Sequence, residues 1–147
     1  MDGNCKLNYK ISDASSIYLH DSRIFSMDFD DNSISIRFPQ GIFLAKDGSK
    51  TKEALIKLLI KPDDINVYIS KKIGRKKIKY ITKYIDLIRF IKYLNYRQIE
   101  IIDVMNQGQN HYLWRGVFIK NNKYLDLYVE IQFISCNAIQ WEIYYDI

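Results

Sequence analysis

Apolar and polar positions alternate through most of the chain. Phe25, Met27 and Phe29 are separated by Ser26 and Asp28, and Ile34, Ile36 and Phe38 by Ser35 and Arg37. Two such runs across the short "DDNS" turn predict a β-hairpin with one buried face. Pro39 ends or bends its second strand, because proline has no N–H to give a ladder. "GIFLAK" predicts a third short strand and "DGSKTK" a polar loop. Residues 1–14 carry only weak pattern.

"EALIKLLIK" at 53–61 fits two periods: Ile56, Leu58 and Ile60 suit a strand, whereas Leu55, Leu59 and the Ala/Glu/Lys content suit a helix. The β-branched "INVYIS" that follows "PDD" needs a partner, so 53–70 is expected to be strand–turn–strand. Next, Ile78, Ile81, Ile85, Ile88 and Ile91 recur in steps of three and four, with Tyr84 and Leu94 on the same stripe. That spacing predicts one long amphipathic helix over 77–95, about 28 Å in length. Its isoleucines are middling helix formers, so packing has to hold it.

Alternation then returns. Ile99 and Ile101 open a strand toward Met105, and "NQGQN" is turn-rich. Tyr112–Ile119 is apolar on both faces. Leu125, Leu127, Val129, Ile131 and Phe133 alternate cleanly, and Ile139, Trp141, Ile143 and Tyr145 do so after "SCNA". Three strands on short loops predict an antiparallel C-terminal meander. The expected fold is α+β: about seven to nine strands, mostly antiparallel, with the helix over an apolar face. With no repeat, low-complexity tract or linker, residues 1–147 are expected to form a single domain.

Composition adds that the chain is globular. Hydrophobic residues make up 48% of 147 positions and aromatics 14%, with twelve Tyr, enough to fill a core. Cys5 and Cys136 stand at opposite ends, outside any C-x-x-C pair. Two reduced thiols are expected, with one bridge between the ends as the alternative. "MDGNCKLNYK" lacks a basic start followed by an apolar stretch, and no uncharged run reaches membrane-spanning length. A cytoplasmic protein without membrane contact is the expectation.

The net charge of +5 conceals a segregation. Residues 71–97 hold ten Lys and Arg against one acid, while 98–147 hold three against six. "KKIGRKKIK" concentrates Lys71, Lys72, Arg75, Lys76, Lys77 and Lys79, and Lys83 follows. These are the candidate contacts to a phosphate or an acidic partner. The plainer reading is a solvated surface. Cations crowded at a helix N-terminus are unfavourable, which hints at a use.

"IYLHDSRIFSMDFDDNSISIRF" resembles the opening of small uncharacterised bacterial proteins, mostly Gram-positive, whose first strand carries Leu-His-Asp before a hairpin with an acidic turn. "EIIDVMNQGQNHYLWRGVFIKNNKYLDLYVEIQF" is similar to their ending, and together these cover about half of the chain. Some proteins of this style act as immunity proteins against toxins of competing bacteria. The resemblance implies a cytoplasmic, non-enzymatic protein binder and carries no site residues.

His20 beside Asp21 invites a catalytic reading. Neighbours in a regular strand point to opposite faces, so the two would diverge and a third group would be required. Asp21 and Arg23 also interrupt the apolar odd-numbered face of Ile17 and Leu19, and a bulge or bend at His20–Ser22 removes that conflict. His20 and Asp21 are therefore expected to mark a structural kink. His111, the only other histidine, is far away and suggests no metal centre. Phosphate-loop and dinucleotide glycine patterns are absent, and only six Gly occur. Ser15 and Ser16 lack nucleophile-elbow glycines, and Asp28, Asp30 and Asp31 lack the later Gly and Glu of a calcium loop. No cofactor is expected.

Three functions remain, in order. The first is a non-enzymatic binding protein of immunity type, meeting an acidic protein or a second copy of itself. The second is a nucleic-acid-binding module using 71–83. The third is an enzyme using His20 and Asp21.

Overall fold

The computed structural model describes residues 4–9, 17–45, 48–108 and 110–146, with side chains described from Tyr18 to Ile139 within those ranges. The chain runs β1 (Asn4–Tyr9), β2 (Ile17–Tyr18), β3 (Arg23–Ile24), β4 (Ser26–Phe29), β5 (Ile34–Phe38) and β6 (Phe43–Leu44). β7 (Glu53–Leu59), a 3-10 turn at Pro62–Asp64, β8 (Ile65–Ile73), β9 (Lys79–Ile85) and the helix α1 (Leu87–Leu94) follow. β10 (Gln98–Asn106), β11 (Tyr112–Lys120), β12 (Lys123–Phe133) and β13 (Ala138–Asp146) complete it. The architecture is α+β and mostly antiparallel, as the alternation predicts.

Two sheets share one core. The first has order β1-β13-β7-β5-β4, the second β3-β10-β11-β12-β8-β9, and β2 pairs with β6 apart from both. Ile34, Ile36, Phe38, Ile56 and Leu58 from the first sheet join Ile99, Ile101, Phe118, Ile131 and Phe133 from the second in one apolar cluster. Each fully buried side chain of this size contributes about 1.5–3 kcal/mol. The run 23–29 belongs to both sheets: Ile24 pairs with Ile99, and after Phe25 Met27 pairs with Ile36. It therefore makes a corner where two sheet edges meet.

Several expectations change. The helix is eight residues, not 77–95, because 79–85 is strand β9 paired along β8. Asp86 is the N-cap, its carboxylate accepting the Arg89 N–H at 3.0 Å. Leu87, Phe90 and Leu94 then point into the core; Phe90 meets Phe118 edge-on at 6.4 Å between ring centroids, and Tyr93 meets it at a tilt at 5.8 Å. The helix thus crosses the inner face of the second sheet on the way from β9 to β10.

Residues 53–70 are strand–turn–strand, yet β7 and β8 do not pair. Pro62 opens a 3-10 turn that carries the chain from the first sheet to the second. The link after β12 makes the return crossing: Ile134 N–H donates to Asp64 O, and Asn137 N–H to Leu59 O. The meander is therefore β10–β11–β12, while β13 joins the first sheet between β7 and β1. Residues 4–9, expected to be weakly patterned, form β1 on that strand. Cys136 is a buried free thiol, donating to Ala138 O at 3.4 Å; burial pushes its pKa up. The side chain of Cys5 is outside the described residues.

Candidate binding surface

β8 begins as a core strand and ends as something else. Ile65 and Val67 are buried, and its ladder to β12 runs from Phe133↔Ile65 to Leu127↔Lys71, where it stops. Beyond that point only β9 accompanies it, through Lys72↔Tyr80 and Ile73↔Lys79. The two strands form a hairpin arm whose tip, 74–78, is exposed throughout. Gly74 makes the turn possible: its φ is +88°, and a Cβ there would lie 2.5 Å from Lys77 O.

All seven candidate cations belong to this arm. Arg75, Lys76 and Lys77 occupy the tip, and the other four are on its strands. Directly paired residues share a face, so the ladder sorts them. One face reads Ile69↔Lys83, Lys71↔Ile81 and Ile73↔Lys79. Each lysine faces an isoleucine across the ribbon, so no two like charges are directly opposed. The other face reads Tyr68↔Tyr84, Ser70↔Thr82 and Lys72↔Tyr80. There Ser70 and Thr82 hydroxyls bond at 2.8 Å, Tyr68 meets Tyr84 at 5.7 Å between ring centroids, and Tyr80 reaches Tyr128 of β12 at 5.9 Å. The run 71–79 itself contains no aromatic; the ladder supplies them from beside it.

Both faces of β9 are open. Tyr80, Ile81 and Tyr84 are 56%, 48% and 60% exposed, a run of large apolar surface beside charge. From 65 to 85 the sequence has no acid. Among the described residues, none of the seven cations forms an ion pair; Glu130, on the neighbouring β12, is engaged by Arg115 at 3.4 Å.

His20 and Asp21 do not diverge. They occupy a turn in which Ser22 N–H donates to Leu19 O at 2.9 Å and Asp21 has φ +64°, the second central position of a type II turn. Asp21 N–H donates to Ile101 O and Ile101 N–H to Ser22 O, tying the turn to β10. The His20 ring contacts the Ile102 carbonyl through Nδ1 and approaches the Asp21 carboxylate at 3.4 Å through Nε2. Both nitrogens are thus directed at groups of the protein, and both side chains are about two-thirds exposed, at 64% and 63%.

The remaining features are local. Asp30 accepts the Asn32 N–H at 2.8 Å and the Ser33 hydroxyl at 3.0 Å, which closes the β4–β5 turn and holds its carboxyl below the usual value. A cleft of about 330 Å³ lies between the end of α1 and the β11–β12 turn, lined by Arg97, Gln98, Lys120 and the Asn121–Asn122 pair. Arg97 Nε and Gln98 Oε1 there find no protein partner. Arg23, Glu100 and Tyr124 form a second polar group nearby, Tyr124 donating to Glu100 at 2.8 Å. Among the described residues no cluster of His, Cys, Asp and Glu is placed to hold a metal, and no helix is long and apolar enough to cross a membrane. Ser15, Ser16, Lys46 and Asp47 lie outside the described residues.

Compared with known proteins, the chain matches no family, no curated protein and no solved structure.

Proposed function

We propose that this chain is a binding protein whose contact element is the β8–β9 arm and whose partner is an acidic protein surface, acting by occupying that surface. The observation that carries this reading is the arm itself. Seven cations stand on 71–83 of a solvated ribbon, without an acid between 65 and 85, while residues 98–147 carry an excess of acids. Such a field steers an acidic partner toward the arm, and the exposed Tyr80, Ile81 and Tyr84 supply contact area once it arrives. The opening and closing segments resemble small bacterial proteins, some of them of immunity type, and a protein binder is what that resemblance implies.

The test is co-purification of the tagged chain from its native cell, beside the variant Lys76→Glu/Lys77→Glu. A defined acidic protein retained by the first, released by salt and lost with the second, is the expected result. Equal retention by both, or no retained protein, overturns the proposal.

A second reading has its own support. A two-stranded ribbon fits a DNA major groove, and exposed tyrosines beside lysines suit stacked bases. It requires binding to a DNA duplex or a single strand that weakens steeply with salt, with a smaller salt slope in the same variant. Undetectable binding at low ionic strength removes it.

A further inference from the structure

β9 is the last strand of the second sheet, and no described strand pairs with its far edge. We infer that this edge is the docking strand of the arm: it takes an extended acidic segment of the partner as an added strand. The inference rests on the proposed function and specifies how the partner is held.

Three observations support it. First, the edge is long: Lys79–Ile85 gives seven residues in regular extended geometry, with unpaired backbone donors and acceptors on the far side. Second, there is room on both faces, because 79–84 are exposed throughout and an added strand meets no covering element among the described residues. Third, the two faces of β9 specify a complement. Lys79, Ile81 and Lys83 share one face, and Tyr80, Thr82 and Tyr84 the other. A paired strand that satisfies them carries acid, apolar, acid at alternate positions, with β-branched or aromatic residues between. Backbone bonds then give affinity, and the two lysines choose the segment.

The same charges argue against a second copy as the occupant. Two β9 edges paired about Thr82 place Lys79 and Lys83 of one chain on the same face as those of the other, within diagonal reach. The remaining five cations of each arm add to the repulsion, with no acid on either arm to offset them. An acidic strand removes that repulsion.

The experiment uses the full chain and three probes. One is an acetylated peptide of sequence Thr-Glu-Val-Ile-Thr-Glu-Thr. The second is the same peptide N-methylated at the alternate amides that would face β9. The third is a short DNA duplex. Binding is followed by titration, and amide hydrogen exchange is read residue by residue. The first peptide is expected to bind and to slow exchange at alternate amides of 79–85. N-methylation should weaken binding by about tenfold or more, since it deletes backbone bonds and keeps the charge. Lys79→Glu/Lys83→Glu should weaken the unmodified peptide comparably, with an unchanged circular dichroism spectrum showing that the variant folds.

Equal binding of the methylated peptide overturns the inference while leaving the proposed function standing, because the arm then attracts acids by charge alone. If neither peptide binds but the native partner still requires Lys76 and Lys77, the inference is again overturned and the proposed function stands. If neither peptide binds and no acidic protein is retained, both fail. Protection of β9 by the duplex alone overturns both in favour of the nucleic-acid reading.

Discussion

Gly116 shows how closely two strands approach inside the second sheet. A Cβ at this position would lie 2.5 Å from a methyl carbon of Ile99 and 2.9 Å from Glu100 O. Gly116→Ala is therefore expected to destabilise the fold by about 1–3 kcal/mol, read as a lower urea midpoint, because the backbone carbonyl cannot yield as a side chain would. Asp30 offers a pH test at the same scale. Its folded pKa is below the ordinary 3.8, through the Asn32 N–H and then the Ser33 hydroxyl. Its contribution is therefore intact above 3.8 and fades as pH falls through the lower folded value. Asp30→Asn should lower the unfolding midpoint at neutral pH, and the gap to the parent should narrow on acidification. The conflict at His20–Asp21 was visible in the sequence, where Asp21 and Arg23 break an apolar face. The left-handed Asp21 and the carbonyl of Ile102 were not, since both depend on β10, some eighty residues further on.

At the level of elements, alternation located β5, β10 and β12 by the register each buries and β4 by its buried Met27, while β11 was marked by being apolar on both faces, and both are buried. The "KNNK" turn was legible too: Asn121 and Asn122 take φ of +52° and +59°, the left-handed pair a tight hairpin needs. The helix starts at Leu87, ten residues after the position its spacing predicts. Ile78, Ile81, Ile85 and Ile88 keep helical spacing across a strand and a helix alike, although Lys79, Ile81, Lys83 and Ile85 also alternate with Tyr80, Thr82 and Tyr84. The discriminating residue is Asp86, whose side chain begins the helix. Asp86→Ala should cost about 1 kcal/mol in thermal or urea unfolding, by leaving the Arg89 N–H without its acceptor. By contrast, Ile81→Thr on the arm should change stability by less than about 0.5 kcal/mol, because the site is exposed. A large loss in that variant would mean that the arm belongs to the core.

For the whole molecule, alternation marked which strand faces are apolar but not which strands share a sheet. The crossings at 62–64 and 134–137 look like ordinary hairpin turns. Their identity comes from bonds between the links, Ile134 to Asp64 and Asn137 to Leu59, which no local pattern reports. The candidate surface was half legible. The cationic run was plain, but its placement on a strand edge with tyrosines alongside required the β8–β9 register. Charge segregation then follows the architecture: the basic segment leaves the body, and the acidic last third stays within it. Attraction to an acidic partner should accordingly weaken as salt rises, and mutations in the tip should act on association more than on stability.

β1 has one partner among the described strands, and that partner is β13. The strand nearest the start of the chain thus waits for the one nearest its end. During synthesis β1 emerges long before β13 and can dock only after residues 138–146 have left the ribosome, so closure of this side of the sheet comes late in folding. Until then β7 also has a bare edge, with Ile56 and Leu58 beside it. A chain ended at residue 137 should remain in that state and sediment as aggregates, where the full chain does not.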